Sequence, residues 1–376
     1  MKFRWILHFG PIAVMLVAGL GSGQAKPKDV SQGNQSSGVP VFEVDPAWPK
    51  PLPNNWLTGQ PSAITVDIHD HIWTVQRPKS LTADEAALAQ SPPIAEECCI
   101  PAPPVMEFDA DGNLLQAWGG PGIGYDWPSS EHGIFVDFKD NVWVTGNHQV
   151  LKFTGKGQLL LQIGEAGKTG GSNSKTLLGR PANMAVDPMT NEIYVADGYV
   201  NHRVVVFDAS TGAYKRHWGA YGNKPDDADP GKYHPDAAPA LQFRNPVHCV
   251  EIANDGLVYV CDRGSDRIQV FRKDGTFVKE AFIAKRTLGV RGEGSVWEAG
   301  LSPDQKFLYV ADGSNQKVWI LVRDSLAIVG SFGRSGRSAG QFHWVHGLAV
   351  DSKGNIYTAE VDNAKRVQKF LYKGIR

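Results

Sequence analysis

Three histidines stand at equivalent places in an internally repeated sequence, and their shared register is the strongest chemical signal in the chain. His132, His248 and His346 each lie four residues before a recurring apolar anchor, at Val136, Ile252 and Val350. Three further anchors, Val66, Val186 and Leu301, have Ser62, Ala182 and Trp297 at the same place. Histidine therefore occupies the second, fourth and sixth of six units. If the units close into a ring, alternate units sit about 120° apart. Three imidazoles at the start of the innermost strands then point at one spot on the axis. Convergent imidazoles with open remaining positions suit a catalytic divalent metal, Zn²⁺ above all. The chain has 11 histidines, and a single one at such a place is more often a packed or hydrogen-bonding residue. Three in alternating register are hard to assign to chance. His69, His71, His148, His202, His217, His234 and His343 lack the register and read as surface or loop residues.

A second aligned position falls where the second strand of each unit ends. It holds Arg77, Asn147, Gly198, Arg263, Gly313 and Val361. A chain that runs down one strand and back up the next returns these residues to the face that carries the histidines. Arg77 and Arg263 would then reach toward the axis, and so would Tyr199, which follows Gly198. Arginine grips a carboxylate with two parallel N–H donors. A phenol beside a cation ionises at lower pH and can serve as a base. Taken singly, Arg263 reads as a partner of Asp262 or Asp266, and Tyr199 as a packed rim aromatic. The shared face with three histidines favours a functional reading of all three.

The elements that must position these residues are six similar segments: PSAITVDIHDHIWTVQR, EHGIFVDFKDNVWVTGN, PANMAVDPMTNEIYVADGY, VHCVEIANDGLVYVCDRG, VWEAGLSPDQKFLYVADGS and VHGLAVDSKGNIYTAEVD. Each is an apolar strand, a short polar turn and a second strand, followed by a third such as RVVVFD and often a fourth ending near Trp-Gly or Phe-Gly. The anchors recur about every 50 to 70 residues, the spacing of repeat arrays. Asp-Gly and Lys-Gly pairs such as Asp255-Gly256 and Lys353-Gly354 mark hairpin turns. A unit of four strands cannot bury both faces alone, whereas six arranged radially cover one another. The pattern predicts an all-β, six-bladed β-propeller over residues 41–376. The last unit lacks an outer strand after Val367–Phe370, and Val41–Val44 can supply it, closing the ring. A parallel β-helix or a pair of sandwiches fits less well, because the repeats are long and hairpin-like. Residues 78–103 interrupt the first unit, with a short helix expected at Ala83 to Ala89, and residues 221–240 separate the third and fourth.

The first 25 residues read as a secretory signal: Lys2 and Arg4, an apolar run from Ile12 to Leu20, then Gly23-Gln24-Ala25. Residues 26–40 read as a flexible polar leader. An exported monomer without a membrane span after signal removal follows as the expectation. A net charge of −1 with interspersed signs leaves no electrostatic footprint for nucleic acid. Export permits disulfides. Cys249 and Cys261 flank the turn at Asn254-Asp255-Gly256, where a cross-strand bridge and two buried thiols fit equally. Cys98-Cys99 reads as a vicinal disulfide, two thiols or a redox site.

The units are NHL-like, and among such propellers the pattern resembles the peptidyl-α-hydroxyglycine α-amidating lyases. The resemblance covers most of residues 60–370. It rests on HGIFVDFKDNVWVTGNHQVLKF, PANMAVDPMTNEIYVADGYVNHRVVVF, VHCVEIANDGLVYVCDRGSDRIQVF, VHGLAVDSKGNIYTAEV and HIWTVQR. It implies Zn²⁺ on His132, His248 and His346, a catalytic Tyr199, and Arg77 and Arg263 as the active-site arginines. It also implies a small-molecule or peptide-terminal substrate bearing a carboxylate, cleaved at a C–N bond to an amide and glyoxylate. The family places an Asp after its third histidine to help hold a structural Ca²⁺; here Gly347 stands there, which puts that ion in doubt. The family's Cys after the catalytic Tyr is Val200. Two other readings compete. One is a non-catalytic NHL-propeller binding scaffold of the cell envelope. The other is a metal-dependent hydrolase such as a lactonase, which would set Glu, Asn and Asp where the aligned axial positions carry His.

Overall fold

The computed structural model describes residues 38–289 and 291–376. The signal segment lies outside the described residues, as does the leader up to residue 37. Six four-stranded antiparallel sheets follow one another along the chain. Their innermost strands are Gln60–Val66, Glu131–Val136, Met184–Asp187, Val247–Ile252, Glu298–Leu301 and Val345–Val350, in blades 1 to 6. Each inner strand contacts that of the next blade, and the inner strand of blade 6 contacts that of blade 1, so the ring is closed. The fold is the six-bladed β-propeller expected from the repeats.

The closure is made as the sequence suggested. Pro40–Asp45 pairs antiparallel with the last strand, Arg366–Ile375, with Val44 opposite Phe370. The strand begins at Pro40, inside the segment read as leader. Val39 also donates its N–H to the Arg376 carbonyl at 2.7 Å. Blade 6 thus takes its fourth strand from the other end of the chain.

The repeated residues have local physical reasons. An Asp after the anchor accepts the turn's N–H groups and a ring donor two strand positions into the return. The Trp73 indole donates to Asp67 at 2.9 Å, the Trp143 indole to Asp137 at 2.9 Å, and the Tyr357 hydroxyl to Asp351 at 3.1 Å. A short polar side chain that caps its own turn is what Asp does best. The turns themselves need a left-handed residue, supplied by Gly256 and Gly354, both at φ 83°.

The core is divided into six apolar clusters, one at each blade interface. Cys249, Tyr259 and Ile268 of blade 4 meet Leu301, Val310 and Leu321 of blade 5. Ile64, Ile72 and Met106 of blade 1 meet Tyr357, Ala359 and Val367 of blade 6. Burying each large apolar side chain is worth about 1.5–3 kcal/mol, so the blades stabilise one another and hold the inner strands rigidly. Cys249 and Cys261 face each other in register and are bridged. Cys98 and Cys99 are also bridged to each other. The helix expected at Ala83 to Ala89 is reduced to a 3₁₀ turn at Ala87–Ala89. There Leu88 donates its N–H to the Cys99 carbonyl at 3.2 Å rather than up a helix, so the insertion folds on its own return.

Candidate metal centre

His132, His248 and His346 are each the second residue of their inner strands, at a break in pairing. The register slips between Glu131 and Ile134, between Val247 and Cys249, and between Val345 and Gly347. A β-bulge re-aims one side chain out of the regular alternation. Here it frees each imidazole from the strand's usual in-and-out pattern. The three rings meet. His132 and His248 lie 5.0 Å apart between centroids, His132 and His346 4.9 Å, and His248 and His346 4.7 Å. Their ligand nitrogens all fall within 4.8 Å of one another, and all three residues are buried.

The ring nitrogens are divided by role. His132 Nδ1 bonds the Ala182 carbonyl at 2.9 Å and His346 Nδ1 the Ser62 carbonyl at 2.6 Å, while His248 Nδ1 bonds the Trp297 carbonyl. A carbonyl can only accept, so each Nδ1 is the donor and each Nε2 keeps its lone pair. That is the tautomer a metal-binding imidazole needs. Each carbonyl belongs to the residue that occupies the aligned position in the following blade, so the pattern repeats three times around the axis. Burial, first of all, drives the pKa of all three imidazoles well below the usual histidine range. For His132 the next largest cause is His346, for His248 it is Arg263, and for His346 it is Arg77. The neutral, ligating form is therefore the one favoured near pH 7.

Tyr199 closes over this triad. Its hydroxyl lies 2.8 Å from His132 Nε2, 3.2 Å from His248 Nε2 and 3.4 Å from Arg263 Nη1. Gly198 makes that approach possible, because a Cβ there would lie 2.1 Å from the Val247 backbone nitrogen. The Arg263 guanidinium lies 5.6 Å from the Tyr199 ring centroid and 4.4 Å from that of Trp297. The competing pairings for Arg263 are taken by others. Asp262 accepts Arg267 Nε at 2.8 Å and the Arg244 N–H at 2.9 Å, and Asp266 accepts the Ser295 N–H at 2.8 Å. Arg77 donates through Nε to the Glu131 carbonyl at 2.8 Å and through Nη1 to Gln60 at 3.2 Å. His132, His248, His346, Tyr199, Arg77 and Arg263 are thus gathered at one end of the axis, whereas Cys98 and Cys99 are not among the residues that line it.

Two cavities open onto Tyr199. One, of about 480 Å³, is lined by Arg77, Arg263, Trp297, Trp344, His346 and Glu293 among others. The second, of about 430 Å³, is lined by Arg77, His132, His148, Arg180, Ser129 and Ser130 among others. Arg180 was missed in the sequence because it falls at no aligned position, and His148, read as a surface or loop residue, lies in the turn between Val142–Gly146 and Gln149–Phe153. His202, read as a surface or loop residue, lies in the connection before Arg203–Asp208 but is buried, with Nδ1 2.7 Å from the Phe243 carbonyl.

Further along the inner strands, Asn183 of blade 3 donates to Glu298 of blade 5 at 2.6 Å. Burial pushes the Glu298 carboxyl well above its usual range and Glu251 up to about 8. These two carboxylates were also not foreseen. Gly347 offers no carboxylate, and a Cβ there would lie 3.1 Å from the Ala63 Cα, so the position that the resemblance assigns to a Ca²⁺ ligand is tightly packed backbone. Among the described residues no helix is long and apolar enough to cross a membrane.

The NHL repeat family matches residues 178–207, which span the loop and strands around Tyr199. Mouse (Mus musculus) NHL repeat-containing protein 3 is 28% identical over 353 residues, covering 88% of this chain and 84% of that protein. Peptidyl-alpha-hydroxyglycine alpha-amidating lyase 1 of Drosophila melanogaster is 28% identical over 278 residues, covering 67% of this chain and 47% of that one. Peptidyl-glycine alpha-amidating monooxygenase A of Xenopus laevis is 37% identical over 155 residues, 40% of this chain and 15% of its own length. Among solved structures, a streptogramin B lyase matches with a TM-score of 0.51 at 11% identity, covering 89% of this chain and 98% of that one, which is a likeness of fold.

Proposed function

We propose, on the premise that this chain is an NHL-repeat six-bladed β-propeller with amidating lyases among its relatives, that it is an exported, zinc-dependent carbon–nitrogen lyase. Its substrate is an α-hydroxyglycine amide, cleaved to the free amide and glyoxylate. The observation that carries this reading is the convergence of three Nε2 lone pairs, each fixed by an Nδ1 bond to a neighbouring blade, beneath a tyrosine hydroxyl.

His132, His248 and His346 would hold the ion. Bound there, Zn²⁺ supplies Lewis acidity toward a substrate hydroxyl. The chain's own residues do the rest. Arg77 or Arg263, neither paired with a carboxylate, holds the substrate carboxylate and steadies charge that develops as the bond breaks. Tyr199, acting as its phenolate, takes the hydroxyl proton and becomes the phenol. The oxygen's electron pair forms the aldehyde carbonyl as the C–N bond breaks, and the proton passes to the departing amide nitrogen. Trp297 and Trp344 wall one side of the cavity the substrate would occupy.

The test is metal analysis of the purified mature protein paired with glyoxylate release from α-hydroxyhippurate. His248→Ala should lose stoichiometric zinc and turnover together. Retention of both in that variant sinks the proposal. A metal-free wild type that releases no glyoxylate supports the binding-scaffold reading instead.

A further inference from the structure

The cavity beneath Arg180 is cationic, and the acids near it are already engaged. The arginines of the described residues that pair with carboxylates are Arg203, Arg216, Arg267, Arg286, Arg323 and Arg366; Arg77 and Arg180 are not among them. Arg180 is exposed at the cavity mouth, its guanidinium 5.7 Å from the Tyr199 ring centroid. The Glu131 carboxylate accepts from the Trp127 indole at 2.7 Å, and Asp197 is held by Arg203 at 2.8 Å and Asn201 at 2.7 Å. His148, which also lines this cavity beside His132 and Tyr199, has a buried Nδ1 without a hydrogen-bond partner. Burial, and then the charge of Arg180, hold it toward the neutral form.

The wall is also conformationally costly. Asn147, His148 and Arg180 adopt left-handed φ values of 48°, 72° and 59°. Non-glycine residues hold such angles where the surrounding structure over-determines them, and they cluster at ligand sites. The space, about 430 Å³, is far larger than one carboxylate requires and meets the first cavity at Arg77 and Tyr199. A substrate whose α-carboxylate lies in the first cavity can therefore extend its acyl end into the second.

We propose that this second cavity is a subsite for an additional anionic group, with Arg180 as its specificity-determining residue, so that the protein prefers a dianionic substrate: an α-hydroxyglycine amide whose acyl part ends in a carboxylate. The proposal deepens the lyase reading and rests on it. It is separable from that reading because the cationic cavity can be tested by binding alone.

The experiment compares two inert analogues of similar shape, N-succinylglycine and N-butyrylglycine, by calorimetry on the metal-loaded protein. The wild type should bind the succinyl compound about tenfold more tightly, the effect of one charge-assisted contact. Arg180→Gln should bring that ratio below about threefold, and Arg180→Lys should restore part of it. Equal affinities in the wild type, or no binding of either compound, overturn the subsite. So does an Arg180→Gln variant that weakens both ligands by one common factor, since that makes Arg180 a prop for Tyr199 or a holder of the shared carboxylate. Glyoxylate release from the α-hydroxylated pair separates the two claims. No glyoxylate from either compound, with the binding ratio intact, defeats the lyase reading alone. Turnover of both with equal kcat/KM defeats the dianion preference alone.

Discussion

Glu251 provides a test of the axis that does not depend on any substrate. It lies on the inner strand of blade 4, three residues beyond His248, and burial raises its pKa from 4.5 to about 8. A carboxyl whose native pKa exceeds its unfolded value is protonated in the native protein over an interval where the unfolded chain has already released the proton. Its contribution to stability is complete below the unfolded pKa and is lost as pH rises through the native one. With these two values the loss is ~0.8 kcal/mol by pH 5 and ~3.3 kcal/mol by pH 7, a difference of ~2.5 kcal/mol. Glu251→Gln keeps the shape and removes the ionisation. Between pH 5 and pH 7 the wild type should lose ~2.5 kcal/mol more stability than the variant, which in a domain of this size is on the order of 5 °C in Tm. Thermal or urea unfolding of both proteins at pH 5, 6 and 7 measures it. Parallel pH profiles would refute the raised pKa. A wild type that gains stability relative to the variant between pH 5 and pH 7 would refute it more informatively, because the native protein would then favour the ionised carboxylate.

Two further outcomes follow from the geometry. Tyr199→Phe removes the hydroxyl between His132 and His248 while keeping the ring against Arg263 and Arg180; turnover should fall ~10²–10⁴-fold, the span of lost general-base catalysis, with zinc content unchanged, and unaltered kcat would remove Tyr199 from the mechanism. Phe42→Ala strips the closing strand of its ring contacts with Phe332 at 4.8 Å, Tyr309 at 5.5 Å and Tyr372 at 5.9 Å; denaturant unfolding should show a loss of ~2–4 kcal/mol, and an unchanged midpoint would mean the ring does not depend on that strand.

The fold and the centre of the site were legible because a propeller converts sequence register into angle. The aligned position faces the axis in every repeat, so histidine in alternate repeats becomes a triangle without any long-range prediction. The closing strand was legible for a related reason: a blade one strand short must borrow it, and Val41–Val44 had the alternation to serve. Arg180, His148 and the buried His202 were not legible, because each lies in a connection whose path the repeat does not set. Arg180 comes two residues before the aligned Ala182, and its left-handed backbone is not announced by a glycine. The expected helix at Ala83 to Ala89 failed where the Leu88 N–H found the Cys99 carbonyl on the return of its own loop. Glu251 and Glu298 were overlooked because only one axial position per repeat was compared.

The alternation of histidine and non-histidine blades has a structural consequence of its own. Each imidazole needs a carbonyl to fix its Nδ1 proton, and it finds that carbonyl at the aligned residue of the next blade: Ala182, Trp297 or Ser62. Blades 1, 3 and 5 therefore orient what blades 2, 4 and 6 present. Trp297 shows the division most clearly. Its carbonyl holds His248, its ring lies 5.4 Å from His346, and Arg263 stacks on it at 4.4 Å. A sixfold-identical ring would crowd six imidazoles onto the axis; the threefold break leaves three to converge and gives the intervening positions to residues that orient them or, as Trp297 does, wall the cavity.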